Sequence, residues 1–378
     1  MARIFLILFA PFVLWALGFA PMGGIPSSIG GTGVAVRSGA WGLYYNPALL
    51  SSDPRSKFGY SAGFWITKSN INKFLSLGPL SGGQEIEAAL DELSNGKASM
   101  QVPMGFVVQM GDINVVQKTA QEDQYGRLVY MEDKIPIGVF AMGAFAVSES
   151  GVHFAKVSNT LFEMQQVGVS LLELPFGYAY EVVTDGGRFD FGVALKYMRA
   201  AVSVEQKIAS ALEGFAFETP DFLNGKLAQS FGVDLGFLYS YKDFHLGLTA
   251  KNVNFPRFKL ADSTAQMLPS VRVGTSYEFL ENYTFALDAD VLPDQSFGMP
   301  RTQYVSLGFL GEYRYGGFGV GACVDIFDVW GSKISVGGNL LGLIQIIGEL
   351  GINFAKVGGR DLYFPTNFGL KVGGSFSF

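Results

Sequence analysis

The stretch NFGLKVGGSFSF, residues 367–378, decides the fold of this chain. Every second residue is apolar or small: Phe368, Leu370, Val372, Gly374, Phe376 and Phe378. Between them lie Gly369, Lys371, Gly373, Ser375 and Ser377. A pleated strand sends successive side chains to opposite faces, so the first set forms a greasy face and the second a polar one.

The same alternation recurs through most of the sequence. Phe58, Tyr60, Ala62, Phe64 and Ile66 share one face near the start. Phe189, Phe191, Val193, Leu195 and Tyr197 do so later, as do Phe231, Val233, Leu235, Phe237, Tyr239 and Tyr241. Lys242-Asp243 turns that run into Phe244, Leu246, Leu248 and Ala250, and Glu281-Asn282 joins two further runs. Gly316-Gly317 reads as the turn into Phe318, Val320, Ala322 and Val324. Composition points the same way. The 378 residues include 34 Phe, 16 Tyr and 49 Gly with only 16% charged side chains, too apolar for an average soluble domain. Beyond the first residues no apolar run approaches the ~18 that a membrane-crossing helix needs. A greasy chain without a greasy helix predicts an all-β transmembrane antiparallel barrel of about fourteen strands, which shows lipid only alternate side chains.

Lys371, Gly373, Phe376 and Phe378 carry the order polar, glycine, aromatic, aromatic, which resembles the C-terminal insertion signal of bacterial outer-membrane β-barrels. That resemblance implies delivery by the barrel-assembly machinery into the lipid of a Gram-negative outer membrane. At the other end, Met1-Ala2-Arg3 and the apolar run from Ile4 to Trp15 read as a signal peptide over 1–18, with small residues at Ala16 and Gly18 for the peptidase.

Residues 19–55 differ in character, with Gly30-Gly31-Thr32-Gly33-Val34-Ala35 followed by Asn46-Pro47-Ala48-Leu49. Glycines this dense do not hold a regular element, and Asn-Pro starts a turn. The segment resembles the start of the FadL-like superfamily of outer-membrane barrels, the long-chain fatty-acid transporters and their relatives. It is most similar to the conjugal-transfer TraF-type and PorV-like branches. The resemblance extends to Gly247–Pro256 (GLTAKNVNFP) and Leu268–Phe279 (LPSVRVGTSYEF). It implies an N-terminal plug in the lumen over 19–55, with Gly30, Gly31, Gly33, Val34, Asn46 and Pro47 as its gate, ahead of a barrel over 56–378. It further implies passive transport of a hydrophobic small-molecule ligand. The TraF-type branch implies the alternative, a non-transporting structural or secretion-accessory barrel acting through other envelope proteins. A phosphate-cradling loop at Gly30–Gly33 is the competing reading, but the Walker lysine is missing.

Within the barrel, 67–100 leaves the alternation. Ile86, Ala89, Leu90 and Leu93 have helical spacing, so a loop insert with a short helix is expected there. Residues 112–131 read as either a hairpin or a long loop. If the greasy faces look at lipid, then Asp190, Lys196, Asp234, His245, Lys251, Arg272, Glu278, Asp288, Asp290, Glu312, Arg314, Asp325, Glu349 and Lys371 look inward. Both signs are mixed there, which suits ion pairs that stiffen a barrel better than a path selective for one charge.

Several function classes are disfavoured. A net charge of −6 does not suit a phosphate backbone, so no nucleic-acid partner is expected. The single cysteine, Cys323, and the two histidines, His153 and His245, provide no metal-ligand set. No G-x-S-x-G elbow occurs, so neither catalytic residues nor a cofactor is expected.

Overall fold

A computed structural model of the protein describes residues 20–37, 39–69, 97–111, 113–122, 128–156, 161–210, 227–259, 264–295, 301–327, 331–356 and 363–378. The expected signal peptide over 1–18 and the helix around Ile86–Leu93 lie outside the described residues.

Fourteen strands close into one barrel. They are Lys57–Ser69, Lys97–Gln109, Val139–Lys156, Leu161–Thr184, Gly187–Ser210, Leu227–Tyr241 and Phe244–Lys251, then Ser270–Phe279, Tyr283–Asp290, Tyr304–Tyr313, Gly316–Asp325, Lys333–Leu340, Ile344–Gly351 and Asn367–Ser377. Each pairs antiparallel with its neighbours. The first and last strands meet in a register running from Lys57 opposite Ser377 to Thr67 opposite Asn367. Closure leaves no strand edge in the bilayer, where an unpaired backbone group has no water to bond.

The closing strand shows the alternation read from sequence. Phe368, Leu370 and Val372 are exposed on the outside, whereas Gly369, Lys371 and Gly373 are buried within. The inner face elsewhere holds Asp190, Lys196, Asp234, His245, Arg272, Asp288, Asp290, Asp325 and Glu349, all buried. One expectation is corrected here. The turn falls at Arg314-Tyr315, and Gly316-Gly317 already belong to the next strand, so Arg314 is exposed in a turn instead of facing the lumen. Gly316 and Gly317 pair with Tyr313 and Glu312, and with Leu340 and Asn339 on the other side. Two-sided pairing holds glycines in a strand despite their entropic preference for turns.

The wall is uneven in height. Leu161–Thr184 and Gly187–Ser210 have 24 residues each, while Phe244–Lys251 has 8. On the tall strands the outer face is apolar from Leu172 to Val182 and from Phe189 to Tyr197. Beyond that it turns polar, with Arg199 exposed and the Ser148 and Ser170 hydroxyls 2.8 Å apart on the surface. Roughly ten residues at ~3.3 Å, tilted ~45°, span on the order of the ~25 Å apolar band of such barrels. The tall strands therefore continue past the lipid.

One end carries short turns and the other carries the longer connections. At the short-turn end the tyrosine hydroxyls bond to backbone or to each other. Tyr60 donates to Leu343 O at 2.6 Å, Tyr239 to Gly186 O at 2.8 Å, and the Tyr283 and Tyr313 hydroxyls meet at 2.6 Å. An aromatic body in lipid with a satisfied polar tip is the arrangement of an interfacial girdle. The one long excursion at this end is the hairpin Asn114–Glu122 with Leu128–Pro136, so the hairpin alternative for this region is the one found. The strands before and after the insert reach Ser69 and start at Lys97, so they take in residues that the sequence reading assigned to the insert.

Candidate functional site

The site is the barrel interior, where residues 20–37 and 39–52 lie buried or half-buried. Three short helices, α1 (Gly24–Ser28), α2 (Gly42–Tyr45) and α3 (Leu49–Ser52), are joined by irregular backbone. Helices this short cannot satisfy their own ends, so the wall and the segment itself supply the partners. The Gly33 and Val34 backbone N–H groups donate to Asp288 Oδ2 at 2.8 and 3.1 Å. Gly30 N–H donates to Ser335 Oγ at 2.8 Å, and Ser276 Oγ donates to Ala35 O at 2.8 Å. Ser51 Oγ donates to Asp190 Oδ1 at 2.8 Å, and Ala40 N–H to Ser375 Oγ at 2.7 Å.

The segment is also stitched to itself. Tyr44 OH donates to Ala20 O at 2.6 Å and Tyr45 OH to Met22 O at 2.8 Å. Burial pushes both phenols above their ordinary value, so they remain neutral donors. Asn46 Nδ2 donates to Val34 O at 2.8 Å and to Phe237 O of the wall at 3.0 Å, while Asn46 Oδ1 accepts from Ala48 N–H at 3.1 Å. Of the residues singled out in this segment, the structure joins Val34 to Asn46, while Gly30 lies against Ser335 and Gly321 and Pro47 against Gly192. Gly30 and Gly31 have φ of 76° and 88°, a left-handed backbone that glycine adopts without strain. A side chain at Gly33 would enter the Tyr45 ring, and Pro47 presses against the wall.

The wall meets the segment through glycines on its inner face. A Cβ on Gly192 would overlap the Pro47 carbonyl, one on Gly236 the Asn46 side chain, and one on Gly321 the Gly30 nitrogen. Gly177, Gly247 and Gly308 meet Leu43, Val34 and Ile29 in the same way. These wall glycines went unnoticed in the sequence. Their signal was a glycine recurring at inward positions of the alternation, beside the charges.

Toward the long-connection end, the inner wall holds an ionic cluster. Lys196 Nζ lies 2.8 Å from Glu173 Oε1 and 3.0 Å from Asp234 Oδ2, and Lys251 Nζ sits 3.9 Å from the Tyr44 ring centroid. Arg272, on the strand that pairs with the one carrying Lys251, lies 2.6 Å from Asp290, and elsewhere on the wall Glu349 takes both Lys333 at 2.9 Å and Lys371 at 3.0 Å. The mixed signs expected inside the barrel are thus paired with one another. Glu173 was not among the expected inward charges. Farther out is an apolar cluster of Val169, Leu171, Met198, Ala200 and Ala228, covered by Phe258, Ala265 and Met267. Phe258 and Ala265 belong to a small hairpin, Arg257–Lys259 with Thr264–Gln266.

On the other side of the inner segment, at the short-turn end, opens a polar cavity of about 750 Å³. Arg37, Asp53, Arg55, Lys57, Arg188 and Glu278 line it. Asp53 accepts from Arg55 Nε at 2.8 Å and lies 3.0 Å from Lys57 Nζ. Burial alone would raise the Asp53 carboxyl, but the Arg55 hydrogen bonds and the Lys57 charge hold it well below the usual carboxylate range.

His245 is fully buried, with Nδ1 2.8 Å from Ser240 Oγ and Nε2 3.4 Å from Glu278 Oε1. Its place is between wall residues. The His153 side chain lies outside the described residues. In the closing strand, Lys371 faces the lumen, a Cβ on Gly373 would overlap the Tyr60 carbonyl, and the Phe376 ring packs 5.6 Å from Phe58. Phe378 is exposed, its N–H bonded to Ser56 O at 3.0 Å.

A closed fourteen-stranded barrel with a buried segment inside has the architecture of the FadL-like outer-membrane channels. The family described as "F plasmid transfer operon, TraF, protein" matches residues 84–290, and the chain belongs to it. Among solved structures it is similar to the toluene transporter TodX of P. putida, at 13% identity over 94% of this chain and 98% of that one, with a TM-score of 0.54. A deltaS2 mutant of the TodX monoaromatic hydrocarbon channel matches at 12% identity, over 95% of this chain and 98% of that one, with a TM-score of 0.54. At such identities the likeness is one of fold. These structures are transport channels and not enzymes. No curated protein matches the sequence.

Proposed function

We propose that the protein is an outer-membrane channel for the passive passage of hydrophobic small molecules, gated by movement of residues 20–56 as a plug. The observation that carries this reading is the buried apolar cluster in the lumen, Val169, Leu171, Met198, Phe258 and Met267, at the end with the longer connections. A barrel interior reached from water has no need of a buried methionine and phenylalanine cluster, and such side chains suit contact with an apolar ligand. In barrels of this kind the long connections face outward and the short turns face the periplasm, which puts the cluster at the entrance. In this reading Asn46-Pro47 and the turn from Gly30 to Val34 are the gate. They link the two halves of the plug to each other and to opposite sides of the wall.

Uptake of toluene and of a long-chain fatty acid into liposomes carrying the refolded protein tests this, with the intact chain and with residues 19–50 deleted. Uptake above empty liposomes, raised by the deletion, is expected. No uptake in either form overturns the transport reading.

A second reading, an accessory barrel that works through other envelope proteins, is favoured by the hairpin of Asn114–Glu122 and Leu128–Pro136. It is the long excursion at the short-turn end, and Ile113, Val115, Val116 and Ile137 around its base are exposed. An isolated two-stranded ribbon is marginal in water and gains stability from a partner. Co-purification of periplasmic proteins with the intact chain, lost when 112–137 are replaced by a short turn, is its test.

A further inference from the structure

Between the outer apolar cluster and the inner segment this wall carries a group of charges. On Leu161–Thr184 the inward residues run Val169, Leu171, then Glu173, then Pro175, Gly177 and Ala179. On Gly187–Ser210 they run Ala200, Met198, then Lys196, then Ala194. Register sets these rows side by side: Leu171 faces Ala200, Glu173 faces Met198, and Gly177 faces Ala194. The third member, Asp234, comes from the next strand, where it lies opposite Ala194. The lumen is therefore tiered along this wall. An apolar tier sits outermost, a charged tier follows, and Tyr44, Leu43 and Trp41 of the plug with Phe145 of the wall form a second apolar tier.

Stability does not require the charged tier. A buried ion pair is commonly matched or bettered by apolar residues of the same volume. The tier does obstruct an apolar solute, which gains nothing from it and has to part ions held out of water. Lys196 is its centre, because the one ammonium spans carboxylates on both flanking strands, at 2.8 and 3.0 Å. A four-carbon stem with freely turning donors can follow either carboxylate if the strands shift.

We propose that Lys196 is a bolt between the two apolar tiers, and that its bridge to Glu173 and Asp234 sets how fast apolar molecules reach the plug. This rests on the transport reading and names the residue that determines its rate. Lys196 acts by position and takes no part in any chemistry.

The test is toluene entry into liposomes carrying the full chain. The wild type is compared with Lys196→Met and with the triple variant Lys196→Met, Glu173→Gln, Asp234→Asn, which leaves no carboxylate of the bridge stranded and keeps Lys251 over the Tyr44 ring. Potassium conductance is recorded in parallel. With the bolt removed, toluene entry rises roughly tenfold, one decade of barrier, while potassium conductance stays at the wild-type level, because a merged apolar track is no path for an ion. A correctly folded triple variant with the wild-type toluene rate overturns the proposal, as does one whose conductance rises in step with toluene entry. If the triple variant fails to assemble, Asp234→Asn alone decides: a smaller rise supports the bolt, and no rise sinks it. Wild-type uptake without any gain in the variants refutes the bolt and leaves the transport reading standing. Absence of uptake in every form removes both.

Discussion

Asp288 Oδ2 accepts the Gly33 backbone N–H at 2.8 Å across 255 positions of sequence, and the neighbouring Val34 N–H shares the same oxygen. One carboxylate in the wall thus serves two donors that no helix or sheet satisfies. A carboxylate receiving backbone N–H groups makes stronger bonds than a neutral acceptor. Asp288→Ala leaves both donors buried without a partner, at a cost of about 1–3 kcal/mol each. The expected outcome is faster amide exchange at Gly33 and Val34 with an unchanged barrel. Asp288→Asn, which keeps an acceptor, should show a smaller effect.

Gly321 packs its α-carbon against the Gly30 backbone. Gly321→Val therefore has to displace the backbone of the inner segment at Ile29 and Gly30 rather than a flexible side chain. The variant should still insert and still change its gel mobility on heating, since closure depends on the strands. A protease should now cut within residues 20–56. Gly348 has nothing within 4 Å, and Gly348→Ala is the control that should change neither property.

Glu349 Oε1 bridges Lys333 and Lys371, and all three are buried. Glu349→Gln strands two ammonium groups in the wall. Breaking a buried pair from one side typically costs about 3–5 kcal/mol. Unfolding in urea, followed by the heat-dependent gel shift, should move to lower denaturant by that amount, and the partner change Lys371→Met should recover part of it.

Asp53 gives the inner segment a pH-dependent tether. Its carboxyl is held below the ordinary range in the folded chain by Arg55 and Lys57, against the pull of burial. A group with a depressed folded value stabilises fully above its unfolded value, ~3.9 for aspartate, and that contribution is lost as pH falls through the folded value. Protection of the amides around Asp53 should accordingly hold from neutral pH to about pH 4 and fall below it. Asp53→Asn should show the low-pH level of protection throughout.

The barrel was legible in the sequence because side-chain alternation is a local property. In Phe368, Leu370 and Val372 against Gly369, Lys371 and Gly373, the pleat alone assigns the faces, and the cost of a charge in hydrocarbon says which face looks at lipid. Repeated over enough strands, that rule yields the strand number and the inward set containing Asp190, Asp288 and Glu349. It fails where the local cue is ambiguous. Gly316-Gly317 looks like a turn and is held in a strand by partners on both sides, and the polar upper parts of the tall strands lack the greasy face that marks a strand in lipid.

What lies inside was decided only by closure. The bond from Gly33 to Asp288, the fit of Pro47 against Gly192 and the bridge of Lys196 to Glu173 and Asp234 join positions whose separation in sequence carries no information about distance. Each depends on the register of strands that pair only when the first meets the last, and a slip of one residue would turn every one of these side chains to the opposite face.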